Sequence, residues 1–322
     1  MIFNVSNPID NLSGIFILYK PKGETSRATL NRLQRAVRLC SRQGNKLRVG
    51  HAGTLDPLAE GVLVACVGEA TKLIEVIQQL PKRYVGTFQL GATSDTLDAE
   101  GTIVPLPSPP QPTREALHDA ISKFTGRILQ RPPAYSALKI AGKRAYQLAR
   151  QGQHVEPESR EVDVYRMDLL EYDYPVFRLN IECGSGTYVR SLGRDIGETV
   201  GSGAIMTALV RKSIGTFSLE NALPPTVFDD PCSEKWLEHL LPPECAVTHL
   251  PRIDLDEKIA QRILTGQAVR KDEIPAPSKT SNPFPETETT LCAAFSPNHR
   301  ILSLLELNDS DDVKIKKNFS RR

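Results

Sequence analysis

The run HAGTLDPLAEGVLVACVG, residues 51–68, joins a turn-rich first half to an apolar second half. From Gly61 to Val67 the apolar residues are nearly unbroken and rich in valine, which predicts a strand. Ahead of it lies a loop that its own residues stiffen: Gly53 permits a tight turn, and Pro57 biases the residue before it, Asp56, toward extended backbone. A carboxylate is therefore held at a defined place just before a buried strand. Taken alone, an Asp-Pro pair is most often an Asx-turn residue, so the neighbouring segments decide what Asp56 is for.

Working outward, residues 14–19 (GIFILY) form a second strand candidate, followed by a Lys-Pro-Lys-Gly turn and a helix capped by Thr25 or Ser26. In that helix Leu30, Leu33, Val37 and Cys40 make an apolar stripe, and Arg32, Arg35, Arg38 and Arg42 project from the other sides. Downstream, Glu69–Leu80 has helical spacing and stops at Pro81, Tyr84–Leu90 is a strand, and TSDTLDAEG is an acidic loop. The proline-rich stretch Pro105–Thr113 must be a surface connection, and Thr113 caps a helix running to about Thr125. Strands follow at Glu161–Leu170 and Phe177–Cys183, and the pattern closes near Phe217. Residues 222–243 read as a connection with a short helix around Trp236. A second unit holds a helix at Glu257–Thr265, a Pro/Ser/Thr-rich insert at Pro275–Thr290, and strands at Leu291–Phe295 and Ile301–Leu307. Strands mixed with helices in this way indicate an α+β chain.

The chain has 322 residues, 40% hydrophobic and 24% charged, enough for one large core and a smaller appended unit. It contains no window of about 18 uninterrupted apolar residues and no apolar leader at its start, so the expectation is a cytoplasmic protein with no membrane segment. Six scattered cysteines without a CxxC pair suggest core packing rather than a zinc site or a disulfide framework. The formal net charge of +2 conceals a local excess: nine basic residues against one acid lie between Lys20 and Arg48, and five against none between Arg131 and Arg150. Such runs are either solvated helical faces or phosphate-tracking surfaces. GxxxxGK[ST], GxGxxG after a strand, HExxH and Gly-x-Ser-x-Gly are all missing, which turns attention from nucleotide- or metal-dependent chemistry to Asp56.

Five blocks now occur in order. They are Lys20–Ser26 (KPKGETS), His51–Leu63 (HAGTLDPLAEGVL), Lys82–Tyr84 (KRY), Pro132–Lys139 (PPAYSALK) with Gly142–Tyr146 (GKRAY), and Gly186–Arg190 (GTYVR) with Asp195–Gly197 (DIG). Together they resemble the motifs of TruB-type pseudouridine synthases, and the likeness runs from about Gly14 to Phe217. What it implies is an α+β, pseudouridine-synthase-like mixed β-sheet with flanking helices over residues 1–243. A small, mostly-β, PUA-like RNA-binding domain would occupy residues 244–322, where Ile263–Val269 looks like a recurrent helix-to-strand element. The implied reaction isomerises the T-loop uridine of tRNA, uridine 55, to pseudouridine. The N1–C1′ bond breaks, the base rotates and it rejoins through C5, with no cofactor and no metal.

By the same resemblance Asp56 is the essential carboxylate, attacking covalently or assisting the sugar chemistry, and Arg190 is the cation that keeps it ionised in a dry pocket. Tyr84 would pack on the target base and take part in removing the C5 proton, Tyr188 would lie beside it, and Leu209 would form an apolar wall. His51 is assigned to flipping the uridine out of its stack. Lys20, Gly53 and Lys139 are assigned to substrate binding, with the basic residues of the first helix and of 139–150 along the phosphates. The chain departs from the family at Val210, where a basic residue is usual. The implied partner is the tRNA T-loop and TΨC arm, met by a monomer with no obligatory protein partner. The alternative from a different class is a tRNA-binding folding assistant in which catalysis is secondary. A guide-RNA-dependent relative is a further variant, and a two-carboxylate glycosidase lacks a clear second acid in the blocks.

Overall fold

The computed structural model describes residues 12–40, 47–136, 138–140, 143–144, 157–233, 235–278 and 289–319. Strand β1 (Gly14–Lys20) leads into helix α1 (Ser26–Cys40), then β2 (Val49–His51) and β3 (Ala59–Val67). A 3-10 turn at Gly68–Leu73 runs straight into α2 (Ile74–Gln79), so the single helix expected there is split in two. Next come β4 (Lys82–Leu90), the small hairpin β5 (Ala92–Ser94) and β6 (Ile103–Pro105), α3 (Arg114–Ser122), β7 (Gly126–Gln130), and the short strands β8 (Lys139–Ile140) and β9 (Lys143–Arg144). The long hairpin β10 (Arg160–Asp173) and β11 (Val176–Cys183) is followed by α4 (Val189–Thr199), β12 (Ala204–Ile214) and β13 (Phe217–Ser218). The C-terminal part holds β14 (Arg252–Asp254), α5 (Glu257–Leu264), β15 (Thr290–Phe295), β16 (Ile301–Leu307) and β17 (Lys314–Asn318).

The principal sheet has nine strands in the order β1-β3-β12-β4-β11-β10-β7, with β13 on β12 and β2 on β3. Its pairs are antiparallel except β3 with β12, which makes the sheet mixed, as expected. An interior strand of this sheet, β12, was concealed in the sequence. In β12 the apolar run is interrupted by Thr207, Arg211, Lys212 and Ser213, and two register shifts against β4 break the alternation. Helix α4 was concealed as well, because Gly193 and Gly197 lower helical propensity. At Gly193 the reason is close packing: a Cβ there would collide with the ring of Phe88.

Three apolar clusters join these layers. Helix α1 buries Leu30, Leu33 and Val37 against Phe16, Phe228 and Trp236, so the predicted stripe is the packing face. On the sheet's other half Phe88 stacks on Phe177, centroids 5.0 Å apart and planes 19° from parallel, beneath α3 and α4. A third cluster carries Val62, Val64 and Ile77 together with Phe295, Leu304 and Phe319. Through it the separate four-stranded sheet, β14-β15-β16-β17, rests on β3 and α2 while keeping its own core of Ile253, Ile259, Ile263 and Leu305. Residues 279–288 of the predicted insert lie outside the described residues. Among the described residues no helix is long and apolar enough to cross a membrane.

Phe88 is fully buried where sheet, α4 and the aromatic stack meet. Phe88→Ala is expected to lower the unfolding free energy by about 3–5 kcal/mol, from lost burial plus the cavity left behind. Urea denaturation followed by circular dichroism would measure it.

Candidate functional site

The loop that carries Asp56 connects β2 to β3, and three side chains from distant parts of the chain hold its backbone. From α1, buried Ser26 donates through Oγ to the Leu55 carbonyl at 2.9 Å and accepts from the Leu55 amide at 2.8 Å, so both polar groups of the residue before Asp56 are paired. Thr25 is thus the cap of α1, accepting from the Ala28 amide, and Ser26 is freed for the loop. From the end of β1, the ammonium of Lys20 donates to the carbonyls of Pro21, Pro57 and Ala59 at 2.9, 3.2 and 2.5 Å. From β12, Arg211 donates to Val62, Thr54 and Gly53 carbonyls at 2.7, 3.4 and 3.0 Å. Gly53 has φ +105°, a conformation an L side chain rarely adopts, and this turns its carbonyl toward that guanidinium.

Arg190 enters on the second residue of α4, and its guanidinium is buried. It meets the Asp56 carboxylate at 3.0 Å and the Asp98 carboxylate at 3.5 Å, and it also donates to the carbonyls of Thr96 (2.6 Å) and Tyr135 (3.1 Å). Asp98 is 2% exposed, and its second oxygen accepts from the Thr96 hydroxyl at 2.6 Å and the Glu100 amide at 3.1 Å. Asp56 differs from it in facing solvent, with a side chain 41% exposed. One buried cation therefore serves a structural carboxylate behind it and an open one in front.

These groups line a pocket of about 670 Å³. Gly53, Asp56, Tyr84, Tyr188, Arg190 and Leu209 all contribute to its wall, so six of the residues singled out in the sequence come together. Tyr84 is buried on β4, and burial raises its phenol above the usual tyrosine range while the hydrogen bond from Arg211 pulls the other way. Leu209 is fixed between Ala59 of β3 and Gly86 of β4. Tyr188 is pinned at its backbone by Gln130, which accepts from its amide at 2.8 Å and donates to its carbonyl at 3.2 Å. Glu100 also lines the pocket, and burial followed by the charge of Asp98 pushes its carboxyl up.

Three expected site residues lie apart from this wall. Lys20, expected to meet substrate, is fully buried and holds the loop from behind. His51 sits just before the loop in β2, and burial, then the charges of Arg211 and Arg27, lower its pKa, which leaves the ring neutral at pH 7. Lys139 pairs through its backbone with Arg144; its side chain, like residues 145–150 of the second basic run, lies outside the described residues. Of the first run, Arg27, Arg35, Arg38 and Arg48 are exposed, while residues 41–46 lie outside the described residues. Sequence reasoning missed Ser26, Asp98, Lys82 and Arg211 as members of the site. The acidic loop 95–100 braces Arg190 through Asp98.

Residues 41–189 match the model of the TruB family pseudouridylate synthase N-terminal domain. The chain is 41% identical over 270 residues to the tRNA pseudouridine synthase B of Dehalococcoides mccartyi strain CBDB1, covering 83% of this chain and 87% of that protein. It is 36% identical over 304 residues to the protein of the same name from Cupriavidus metallidurans, covering 94% of this chain and 93% of that one. Among solved structures, a Cbf5-Nop10-Gar1 complex superposes with a TM-score of 0.71 at 23% identity over 97% of this chain and 86% of that one, a likeness of fold.

Ser26→Ala would leave both the amide and the carbonyl of Leu55 unpaired inside the protein. The expected cost is about 1–3 kcal/mol of stability. In hydrogen exchange the Leu55 amide should lose protection while β3 keeps its own, and unchanged protection would contradict the tie.

Proposed function

The chain belongs to the TruB family of pseudouridylate synthases, and from that premise we propose that it isomerises uridine 55 in the T-loop of tRNA with Asp56 as the essential carboxylate. The observation that carries this is the Asp56–Arg190 ion pair, set into the wall of a pocket that Tyr84 and Leu209 also line. The pocket volume falls in the range of sites for small ligands and suits one nucleotide rather than a stretch of duplex. A uridine stacked in a folded loop has to be flipped out to reach it.

Each residue then has a task. Asp56 faces the ribose of the flipped uridine, where it attacks C1′ or takes a proton from the sugar as the C1′–N1 bond breaks. Arg190 pairs with that carboxylate and aims it, and Asp98 keeps Arg190 in place. Tyr84 and Leu209 hold the base between them, and after C5 has bonded to C1′ the phenol side of the pocket receives the C5 proton, with N1 regaining a proton. His51, neutral and one strand-end away from the loop, fills the space the uridine vacates in its stack. Tyr188 closes the rim, and Gly53 lets the loop approach the nucleotide. Lys20 contributes by positioning the loop rather than by touching RNA. The exposed arginines of α1, together with Lys139, track phosphates and make binding salt-sensitive. We divide the chain at 243/244 into a catalytic domain and a small PUA-like RNA-binding domain. The enzyme is taken to be a cytoplasmic monomer that needs no cofactor, guide RNA or protein partner.

Purified wild-type and Asp56→Asn protein, incubated with an unmodified tRNA transcript, should differ in product and not in binding. Pseudouridine mapped by adduct-stop sequencing is expected at a single T-loop position with wild type and reduced by about 10³-fold or more with the variant. Tight binding by wild type without any product would instead favour a folding assistant.

A further inference from the structure

The charged residues lining the pocket fall into two sets. Asp56 and Asp98 share Arg190, and Glu100 lies near Asp98. Lys82 and Arg211 line the same pocket, and among the described residues neither has a carboxylate partner. Arg211 donates to the carbonyls of Gly53, Thr54 and Val62. Lys82 opens β4 two residues before Tyr84, so both side chains emerge on the same face of the strand. It is 7% exposed and lines the pocket, and its ammonium donates to the Gln78 carbonyl at the end of α2. An ammonium has three donors, so a cation with donors to spare lines the same pocket as the Asp56 carboxylate.

Burying such a group is costly. Burial pushes Lys82 down to about 8, with the charge of Arg211 from β12 acting in the same direction and the Cys183 thiol from β11 opposing it. A buried methionine would fill the same space without that cost, so the cation has to be explained by what enters the pocket. Resting on the reading of this pocket as a uridine isomerase site, the chemistry names it. When the C1′–N1 bond breaks, its electron pair leaves with the ring, and negative charge spreads over N1, O2 and O4 while C1′ becomes electron-poor. The pair is returned when C5 bonds to C1′ and the C5 proton departs. A carboxylate on the ribose side and cations on the base side match that transient separation of charge.

We propose that Lys82 is a further functional residue of the reaction, an ammonium that stabilises the detached uracil anion from the strand face it shares with Tyr84, with Arg211 as its fixed companion. Donors placed in advance where charge develops are worth far more in a water-poor site than in water.

The test compares wild type with Lys82→Met on an unmodified tRNA transcript, measuring single-turnover conversion, transcript affinity, kcat/KM against pH, and Tm. The expected result is a loss of about 10²-fold or more in the single-turnover rate, with transcript affinity within a factor of about 3 and a Tm at or above that of wild type. Neutral Lys82 cannot play this part, so wild-type kcat/KM should fall as pH rises through about 8. That alkaline limb should vanish in Lys82→Met and be displaced beyond the accessible range in Lys82→Arg, whose charge persists. The proposal is overturned if Lys82→Met turns over at near the wild-type rate, if its loss lies wholly in transcript affinity, if its Tm drops as for a structural residue, or if the alkaline limb stays in place in both variants. Failure of wild type itself to make pseudouridine would instead overturn the isomerase reading on which the proposal rests.

Discussion

A single guanidinium shared between two carboxylates governs this site. Arg190 is nearly sealed from water, so its charge must be balanced within the protein; two aspartates do so, and two backbone carbonyls accept further hydrogen bonds from it. Asp98, more deeply buried, braces the guanidinium from the protein side. Asp56, half open to the pocket, can be approached from outside while remaining paired from behind. Removing either acid changes the electrostatics of the other through the arginine, which is how one element of the 95–100 loop influences a carboxylate more than forty residues earlier in the chain. Placing the arginine at the first turn of α4 fixes its root on a rigid element, so the ion pair is aimed by a helix rather than by a loop.

The second principle of the architecture is the use of cations to hold backbone. Lys20 and Arg211 are buried, and in this structure they donate to peptide carbonyls, of Pro21 and of residues between 53 and 62, rather than to acids. Peptide oxygens carry only partial charge, so such contacts do not neutralise the cation. They do define the path of the chain, because each cation reaches carbonyls from more than one residue and tolerates little displacement. Ser26 adds a neutral version of the same device on Leu55. The stiffness inferred for the loop from Gly53 and Pro57 alone is therefore only part of what holds it.

Much of this arrangement was legible in the sequence, and the failures have a common cause. Strands with continuous apolar runs, such as β1 and β3, and helices with a clear stripe, such as α1 and α5, were read to within a few residues. Strand β12 was not, since its buried arginine and its bulges mimic the pattern of a surface segment, and the glycines of α4 disguise a helix that must lie close to Phe88. At the site, residues whose motif context is local, Asp56 and Tyr84 among them, could be singled out. Ser26, Asp98, Lys82 and Arg211 could not, because what each does depends on a neighbour that is adjacent only after folding. Lys20 shows the reverse error: its motif suggested contact with substrate, whereas its position at the end of a buried strand turns it inward.

The tie between Arg211 and the carbonyls of Gly53 and Thr54 joins an early part of the chain to a late one. During synthesis the loop is made well before the strand that clasps it. At translation rates of ~5–20 residues per second, a gap of roughly 155 residues corresponds to about 8–30 seconds. For that interval Asp56 exists on a nascent chain whose loop lacks one of its three fastenings, and neither Arg190 nor β12 is yet in place for the first part of it. Competence for chemistry is consequently acquired near the end of production of the larger sheet, and a fragment truncated ahead of β12 would carry the signature residues without the geometry that gives them meaning.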